Sequence, residues 1–259
     1  MIDTHCHLTF EKLADRLDEV FAHAQEQGVD RMITVATSPE NSHQSVILAE
    51  KYQHVFATAG LHPCYAGDAL DEKQVRETLT QLADHPKVVA FGEMGLDKHW
   101  PEPTLDIQIP AFEWQLDTAK KFPQMPIIIH NRKATDQTLD ILKNSQIPGE
   151  RFVFHCFTGE PDEFKKILNF GAMISFTGVC TFKSAQHLAQ CATQMPIDRL
   201  MIETDSPYLT PEPFRKIRPN QPGYVRQIAQ HLASLRQMPL EKFTEILDAN
   251  AMRFFKKII

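Results

Sequence analysis

Short apolar runs alternate along the chain with amphipathic stretches. The runs are rich in Val, Ile, Phe and Met, which is typical of strands buried on both faces of a sheet. The clearest runs are Arg31–Val35, Lys87–Phe91, Pro126–Ile129 and Arg151–Phe154. The pattern predicts eight strands, and they end near Thr4, Ala36, Ala59, Gly92, Ile129, Phe154, Phe176 and Ile202.

Helical spacing of apolar residues appears between these runs. One predicted helix places Leu13, Leu17, Val20, Phe21 and Ala24 on one face, and Gly28 is a suitable end for it. The same spacing predicts helices over 225–235 and 240–247. Eight strand and helix pairs indicate an α/β fold, a (β/α)8 TIM-type barrel that forms a single domain over residues 1–259. A doubly wound open sheet has the same alternation and is the competing fold.

Metal-ligand side chains stand at the ends of five predicted strands. They are His5 and His7 after the first, Glu93 after the fourth, His130 after the fifth, His155 after the sixth, and Glu203 and Asp205 after the eighth. In a barrel the carboxyl ends of all strands converge on one mouth, where active sites lie. We therefore expect these side chains to meet.

Imidazole and carboxylate ligands suit Zn, Mn, Fe or Ni, and Mg suits an oxygen-rich position. The predicted ligands outnumber the roughly four that one tetrahedral ion needs, so two ions bridged by a carboxylate would use them better. A lone histidine after a strand is more often a hydrogen-bonded loop residue, and Glu93 taken alone fits a residue that caps the turn after its strand. The coincidence of five strand ends favours the metal site. The other histidines are expected on the surface or in packing, and they include His23, His43, His54, His85, His187 and His231.

Composition and charge narrow the function. Hydrophobic residues make up 42% and charged residues 23%, as in ordinary globular proteins. The formal charge of −6 disfavours a protein that coats nucleic acid nonspecifically, but it permits an enzyme whose bound cations meet a polyanion locally. Several residues that follow strands are expected near the mouth as substrate contacts, although a single basic residue is more often a solvated loop charge. They are His62, Arg132, Lys183, Glu203, Arg215 and Arg218.

The cysteines and the apolar runs bear on location. The five cysteines form no CxxC pair, which favours reduced thiols in a cytoplasmic protein. No run approaches the roughly 20 apolar residues that span a bilayer, and the first residues lack the pattern of a secretory signal. We therefore expect a cytoplasmic protein with no membrane partner. We also expect a monomer.

Long motifs around these residues resemble the TatD-like metal-dependent deoxyribonucleases of the amidohydrolase superfamily. The matching stretches are Ile2–His7, Gly60–Pro63, Gly92–Asp97, His130–Arg132, His155–Gly159, Thr177–Lys183 and Glu203–Leu209. The resemblance implies a distorted barrel. It assigns one ion to His5, His7, Glu93 and Asp205, and a second ion to Glu93, His130 and His155, with Glu93 as the bridge. Two departures stand out, because Cys64 replaces a frequent His and Gln221 replaces a frequent Glu.

The resemblance implies a metal-dependent DNase that uses two divalent ions, Mg, Mn or Zn, to hydrolyse phosphodiester bonds. A mouth lined by loops suits a single-stranded end better than the middle of a duplex, and the resemblance adds a preference for 3′ ends. Asp205 and Glu93 are the expected catalytic residues, with Asp205 accepting a proton from the attacking water, and Glu203 is expected to orient a ligand histidine. Two alternatives stay open: a hydrolase of an ester, lactone, amide or amino-purine, and a noncatalytic scaffold with a structural metal site.

Overall fold

The eight predicted strands form one parallel barrel. The computed structural model describes residues 1–67 and 71–258. The strands pair in chain order, and they are β1 Ile2–Cys6, β2 Arg31–Thr34, β3 Val55–Ala59, β4 Val88–Asp97, β5 Ile127–Arg132, β6 Phe152–Phe154, β7 Met173–Phe176 and β8 Leu200–Ile202. The seam closes where the Asp205 amide donates to the His5 carbonyl at 2.9 Å and the His7 amide donates to the Ser206 carbonyl at 2.8 Å. The predicted (β/α)8 barrel is therefore confirmed, and the open sheet is wrong.

Helices connect the strands and cover the outside of the barrel. Those of the described residues are α1 Glu11–Ala14, α2 Leu17–Glu26, α3 Pro39–Lys51, α4 Glu72–Leu82, α5 Leu105–Ala119, α6 Thr135–Ser145, α7 Pro161–Phe170, α8 Gln186–Gln194, α9 Val225–Leu235 and α10 Leu240–Phe255. Within the described part of the chain, none of them is long and apolar enough to cross a membrane.

The apolar side chains form two packed layers. Side chains inside the barrel, among them Ile33, Ile128 and Met201, pack against Phe254 and Phe255 of α10. A larger layer fills the space between the strands and the surrounding helices. The polar candidate ligands stand at the carboxyl ends of the strands, at one end of this apolar interior. The packed interior therefore supports the site.

The structure differs from the sequence prediction in the first helix and in two strand ends. Arg16 has φ −141° and ψ 33°, so the predicted first helix is divided into α1 and α2. Strand β4 continues to Asp97, and β5 continues to Arg132, so Glu93 and His130 lie inside strands and not after them. Gly95, at φ +149°, pairs with His130, and a Cβ on Gly95 would lie 1.9 Å from the His130 carbonyl oxygen. Only glycine permits this close approach of the two strands.

Candidate metal centre

Glu93 is the centre of the candidate site. Its Oε1 atom lies 3.8 Å from His5 Nε2 and 3.7 Å from His7 Nε2. Its Oε2 atom lies 2.7 Å from His155 Nε2 and 3.4 Å from His130 Nδ1. The carboxylate is 2% exposed, and each of its oxygens faces a different pair of imidazoles. Glu93 therefore stands between two half-sites.

Asp205 completes the first half-site. Its Oδ1 atom lies 3.3 Å from His7 Nε2 and 3.8 Å from His5 Nε2. The residue adopts φ +52°, a left-handed conformation that is uncommon outside glycine, directly after the β1–β8 seam. Such strained positions cluster at functional sites, and here the conformation places the carboxylate over the ends of β1. The structure thus brings together all six predicted metal ligands.

Ring nitrogens in this cluster fit a divalent cation. His5 is fully buried, and neither of its ring nitrogens has a hydrogen-bond partner among the described residues. A buried polar atom without a partner costs about 1–3 kcal/mol, which a coordinated cation would offset. Ligand atoms of His5, His7 and Glu93 lie within 4.8 Å of one another, as do those of His62, Glu93 and His130. The mixed nitrogen and oxygen donors suit Zn or Mn, and the carboxylates also suit Mg.

Hydrogen bonds behind the ligands fix their tautomers. The His7 Nδ1 atom lies 2.9 Å from the Val35 carbonyl oxygen, so Nδ1 carries the hydrogen and donates it. The His130 Nε2 atom donates in the same way to Asp97 Oδ2 at 2.9 Å. In the neutral form of each ring the other nitrogen, which faces Glu93, therefore carries no hydrogen and could give its lone pair to a metal.

Asp97 is a further candidate site residue, which the sequence pattern does not single out. It is 2% exposed, and its Oδ1 atom also accepts the amide hydrogen of His99 at 2.7 Å. Burial opposes its ionisation, but the hydrogen bond and charge of His130, together with the backbone amides of His99 and Trp100, outweigh burial and lower the pKa of Asp97 to about 2. A signal existed, since Glu93 and Asp97 are four residues apart and share one face of a strand. The apolar run that predicts β4 ends at Gly92, so Glu93 and Asp97 both lie beyond the predicted strand.

Glu203 and Asp3 lie behind the centre and do not contact Glu93. The Glu203 Oε1 atom accepts the Cys156 amide hydrogen at 2.7 Å and lies 3.5 Å from His155 Nδ1. Asp3 accepts the hydroxyl hydrogen of Thr204 at 2.6 Å and its amide hydrogen at 2.9 Å. Burial raises the pKa of Asp3 to about 8. Asp3 was missed because a buried acid inside a strand leaves no pattern in one sequence, yet it holds the segment that carries Glu203.

Charge is distributed unevenly over the cluster. Burial opposes the ionisation of Glu93, but the surrounding imidazoles outweigh it and hold the pKa of Glu93 well below its usual range. Burial alone would lower the pKa values of His7, His130 and His155, but nearby carboxylates raise all three. Burial, together with His155, lowers the pKa of His5. A metal held by these imidazoles would therefore have to displace protons from them.

His62 points a hydrogen towards the centre. Its Nδ1 atom accepts the Cys64 amide hydrogen at 3.0 Å, and its Nε2 atom lies 3.0 Å from His130 Nδ1. Burial, and secondarily the charge of His130, lowers the pKa of His62 to about 3, so the ring is neutral at physiological pH. Because Nδ1 accepts, Nε2 carries the hydrogen, and His62 faces the site as a donor.

A cavity of about 940 Å³ opens over the cluster. Of the predicted substrate contacts, His62 and the exposed Arg132 line it. The other basic candidates and Glu203 do not line this cavity. Lys183 lines a neighbouring groove, Arg215 stacks on Phe182 with 4.0 Å between the guanidinium carbon and the ring centroid, and Arg218 donates to the Thr210 hydroxyl at 3.1 Å.

Aromatic side chains also line this cavity, and sequence reasoning did not single them out. They are Phe10, Tyr65, Trp100, Phe182 and Tyr208. Trp100 is 55% exposed and Tyr208 is 46% exposed. Large aromatic rings at an open mouth offer surfaces on which flat groups stack.

The closed barrel and its buried cluster of imidazoles and carboxylates are features of a metal-dependent hydrolase. The chain belongs to the TatD related DNase family, whose profile matches residues 2–256. It is 38% identical over 256 residues to the uncharacterized metal-dependent hydrolase YabD of Bacillus subtilis, a match that covers 99% of each chain. It is 35% identical over 261 residues to the 3′-5′ ssDNA/RNA exonuclease TatD of Citrobacter rodentium, covering 98% of this chain and 97% of that protein.

A solved structure agrees with the observed fold. The crystal structure of YJJV, a TatD homologue from Escherichia coli, superposes with a TM-score of 0.91 at 30% identity. The superposition covers 99% of this chain and 98% of that one. The family resemblance predicted from the motifs is therefore confirmed.

Proposed function

We propose that this hydrolase cleaves phosphodiester bonds at single-stranded ends of DNA, from the 3′ end, with two divalent cations, Mg, Mn or Zn. The observation that carries the proposal is that the two oxygens of Glu93 face separate sets of ligands. His5, His7 and Asp205 would hold one cation with Glu93. His130 and His155 would hold the other, with Glu93 shared between them. Such cations supply Lewis acidity, which makes water nucleophilic near neutral pH and stabilises charge on phosphoryl oxygens.

Asp205 is the proposed proton acceptor. Burial opposes its ionisation, but the hydrogen bond with His7 and the charges of the neighbouring imidazoles together outweigh burial and lower the pKa of Asp205. Its side chain is 15% exposed, compared with 3% for Glu93, and it lines the cavity. An ionised carboxylate on the cavity side is placed to orient the attacking water and accept its proton. The Nε2 hydrogen of His62 is directed at His130 Nδ1, and it would become available to a phosphoryl oxygen once Nδ1 held a cation.

The cavity lining supports a polyanionic substrate with flat groups. Arg132 offers a cation for phosphate, and the exposed ring of Trp100 offers a stacking surface for an unpaired base. The printed activity of the Citrobacter relative supports the same substrate class. Since the cluster is recessed below the mouth, a strand end reaches it more readily than a paired interior phosphate. The five cysteines are free, which supports our proposal of a cytoplasmic protein.

The test is digestion of end-labelled oligonucleotides by purified protein loaded with each divalent cation in turn. We expect stepwise shortening of single strands labelled at the 5′ end, little digestion of blunt duplex, and no activity with chelator. Asp205→Asn is the catalytic variant and Asp117→Asn, on an exposed helix face, is the matched control. Small esters, lactones and amides are assayed beside the oligonucleotides. Turnover of those compounds without cleavage of any phosphodiester would overturn the proposal.

A further inference from the structure

A second groove adjoins the cavity over the candidate metal centre. It has a volume of about 480 Å³ and lies between α8, α9 and the segment 180–183. Phe182 lines both the groove and the main cavity. The two spaces are therefore neighbours that share one aromatic wall.

The lining of this groove combines apolar surface with a row of polar side chains and carries no negative charge. Gln186, Gln190 and Gln194 line it from one face of α8, and all three are exposed. Lys183 is its one cationic lysine or arginine among the described residues, and no acidic side chain of those residues lines it. This is notable in a chain with 33 acidic residues. The charge of the groove complements an anion.

Two further groups at this groove can contact a ligand. The Arg215 guanidinium stacks on the ring of Phe182, which places a second cation at the junction of groove and cavity. His231 lines the groove, and its buried Nε2 atom has no hydrogen-bond partner among the described residues. A buried polar atom without a partner is a site that a ligand can satisfy.

We propose that this groove binds the part of a single-stranded polynucleotide that extends away from the metal centre. Phe182 and Arg215 form the crossing point, where a base stacks on the ring and a phosphate pairs with the guanidinium. Lys183 contacts a phosphate further along. Gln186, Gln190 and Gln194, which we call the glutamine row, donate their amide hydrogens to phosphates and bases. This inference rests on the proposed function, because it assigns the rest of the same substrate.

The length of the glutamine row sets the number of nucleotides. Gln186 and Gln194 are eight residues apart on one helix, which corresponds to about 12 Å at the α-helical rise. Stacked bases rise about 3.4 Å per nucleotide along one strand, so the row accommodates about three nucleotides. Affinity should therefore rise as a substrate is lengthened by about three nucleotides beyond the crossing point, and then level off.

The test adds negative charge to the groove. The double variant Gln186→Glu with Gln190→Glu is compared with Gln53→Glu, an exposed turn residue before β3 at the opposite end of the barrel. The metal-loaded proteins are assayed on a six-nucleotide single strand and on bis(4-nitrophenyl) phosphate, which is too small to reach the groove. We expect the double variant to raise KM for the oligonucleotide about tenfold, with kcat unchanged. We expect the control to match the wild type, and turnover of the small diester to stay at the wild-type level in all proteins.

A binding measurement separates this inference from the proposed function. Fluorescence anisotropy of a labelled single strand is recorded with metal-loaded protein that carries Asp205→Asn, with and without the groove substitutions. Weaker binding with the groove substitutions supports the groove even if no phosphodiester is cleaved. If the groove substitutions leave both the dissociation constant and the oligonucleotide KM equal to those of their controls, the inference is overturned. The same result is expected if the groove binds a peptide and not a polynucleotide. Lys183→Gln is the second variant, and it must weaken binding in the same direction.

Discussion

The hydrogen bond between Asp97 and His130 offers a sharp test of the candidate metal centre. We expect Asp97→Asn to weaken metal binding because of the tautomer it imposes on His130. Asp97 Oδ1 accepts the His99 amide hydrogen at 2.7 Å, and Oδ2 accepts the His130 ring hydrogen at 2.9 Å. An asparagine amide must turn its NH2 group towards one of these two donors. If the NH2 group faces His130, the ring moves its hydrogen to Nδ1 and loses the lone pair that faces Glu93.

The magnitude follows from the bond that is lost. A hydrogen bond to a charged group contributes about 1.5–3 kcal/mol, or roughly a 10- to 100-fold change in affinity. Changes behind metal ligands typically cost about 10–100-fold in metal affinity or activity. We expect Asp97→Ala to lower metal affinity by an amount near the lower end of this range, because it leaves both tautomers of the His130 ring accessible. Asp97→Asn is expected near the upper end.

The assay is competition between the protein and a chromogenic chelator for Zn²⁺ at neutral pH. Asp117→Asn is the control, since it makes the same chemical change at a half-exposed carboxylate that pairs with Arg76 and Lys120. Thermal unfolding of the metal-free variants checks that they fold. Wild-type zinc affinity in folded Asp97→Asn and Asp97→Ala proteins alike would refute the role of Asp97 in supporting His130 as a ligand.

Three further outcomes follow from the same geometry. Asp205→Asn should lower turnover of phosphodiesters at least about 100-fold while leaving the unfolding temperature of the metal-free protein nearly unchanged, and full activity would reject its role as proton acceptor. Metal affinity should fall as the pH drops through the raised pKa values of His7, His130 and His155, because protons then compete for the ligand nitrogens. Calorimetry in buffers of different ionisation enthalpy should detect the release of protons on metal binding, and a metal affinity independent of pH would contradict the assigned charges. Phe112→Ala should lower the free energy of unfolding by about 3–5 kcal/mol in urea titrations, because Phe112 is 1% exposed in the core, and a loss below about 1 kcal/mol would contradict that packing.

The meeting of the six candidate metal ligands was predictable from the sequence because a barrel imposes one rule. Parallel strands bring their carboxyl ends to one mouth, so His5 and Asp205 meet although 200 residues separate them. The prediction needed only short apolar runs followed by ligand-type residues. It did not need correct strand ends, and Glu93 and His130 in fact lie inside their strands.

The residues around the ligands were harder to predict, because their positions depend on how loops fold. The basic residues after β7 and β8 belong to long segments, in which Lys183 lies over a separate groove and Arg218 turns back to the Thr210 hydroxyl. A loop of that length has many conformations, and sequence proximity to a strand end does not choose among them. The break at Arg16 is of the same kind, since apolar spacing continues across a backbone turn.

The number and position of bound cations test the central claim most directly. Crystals grown with Mn²⁺ or Zn²⁺ would give anomalous difference peaks at each metal position. Our account predicts two peaks, one on each side of the Glu93 carboxylate, the first beside His5, His7 and Asp205 and the second beside His130 and His155. A single peak, or peaks away from Glu93, would contradict it.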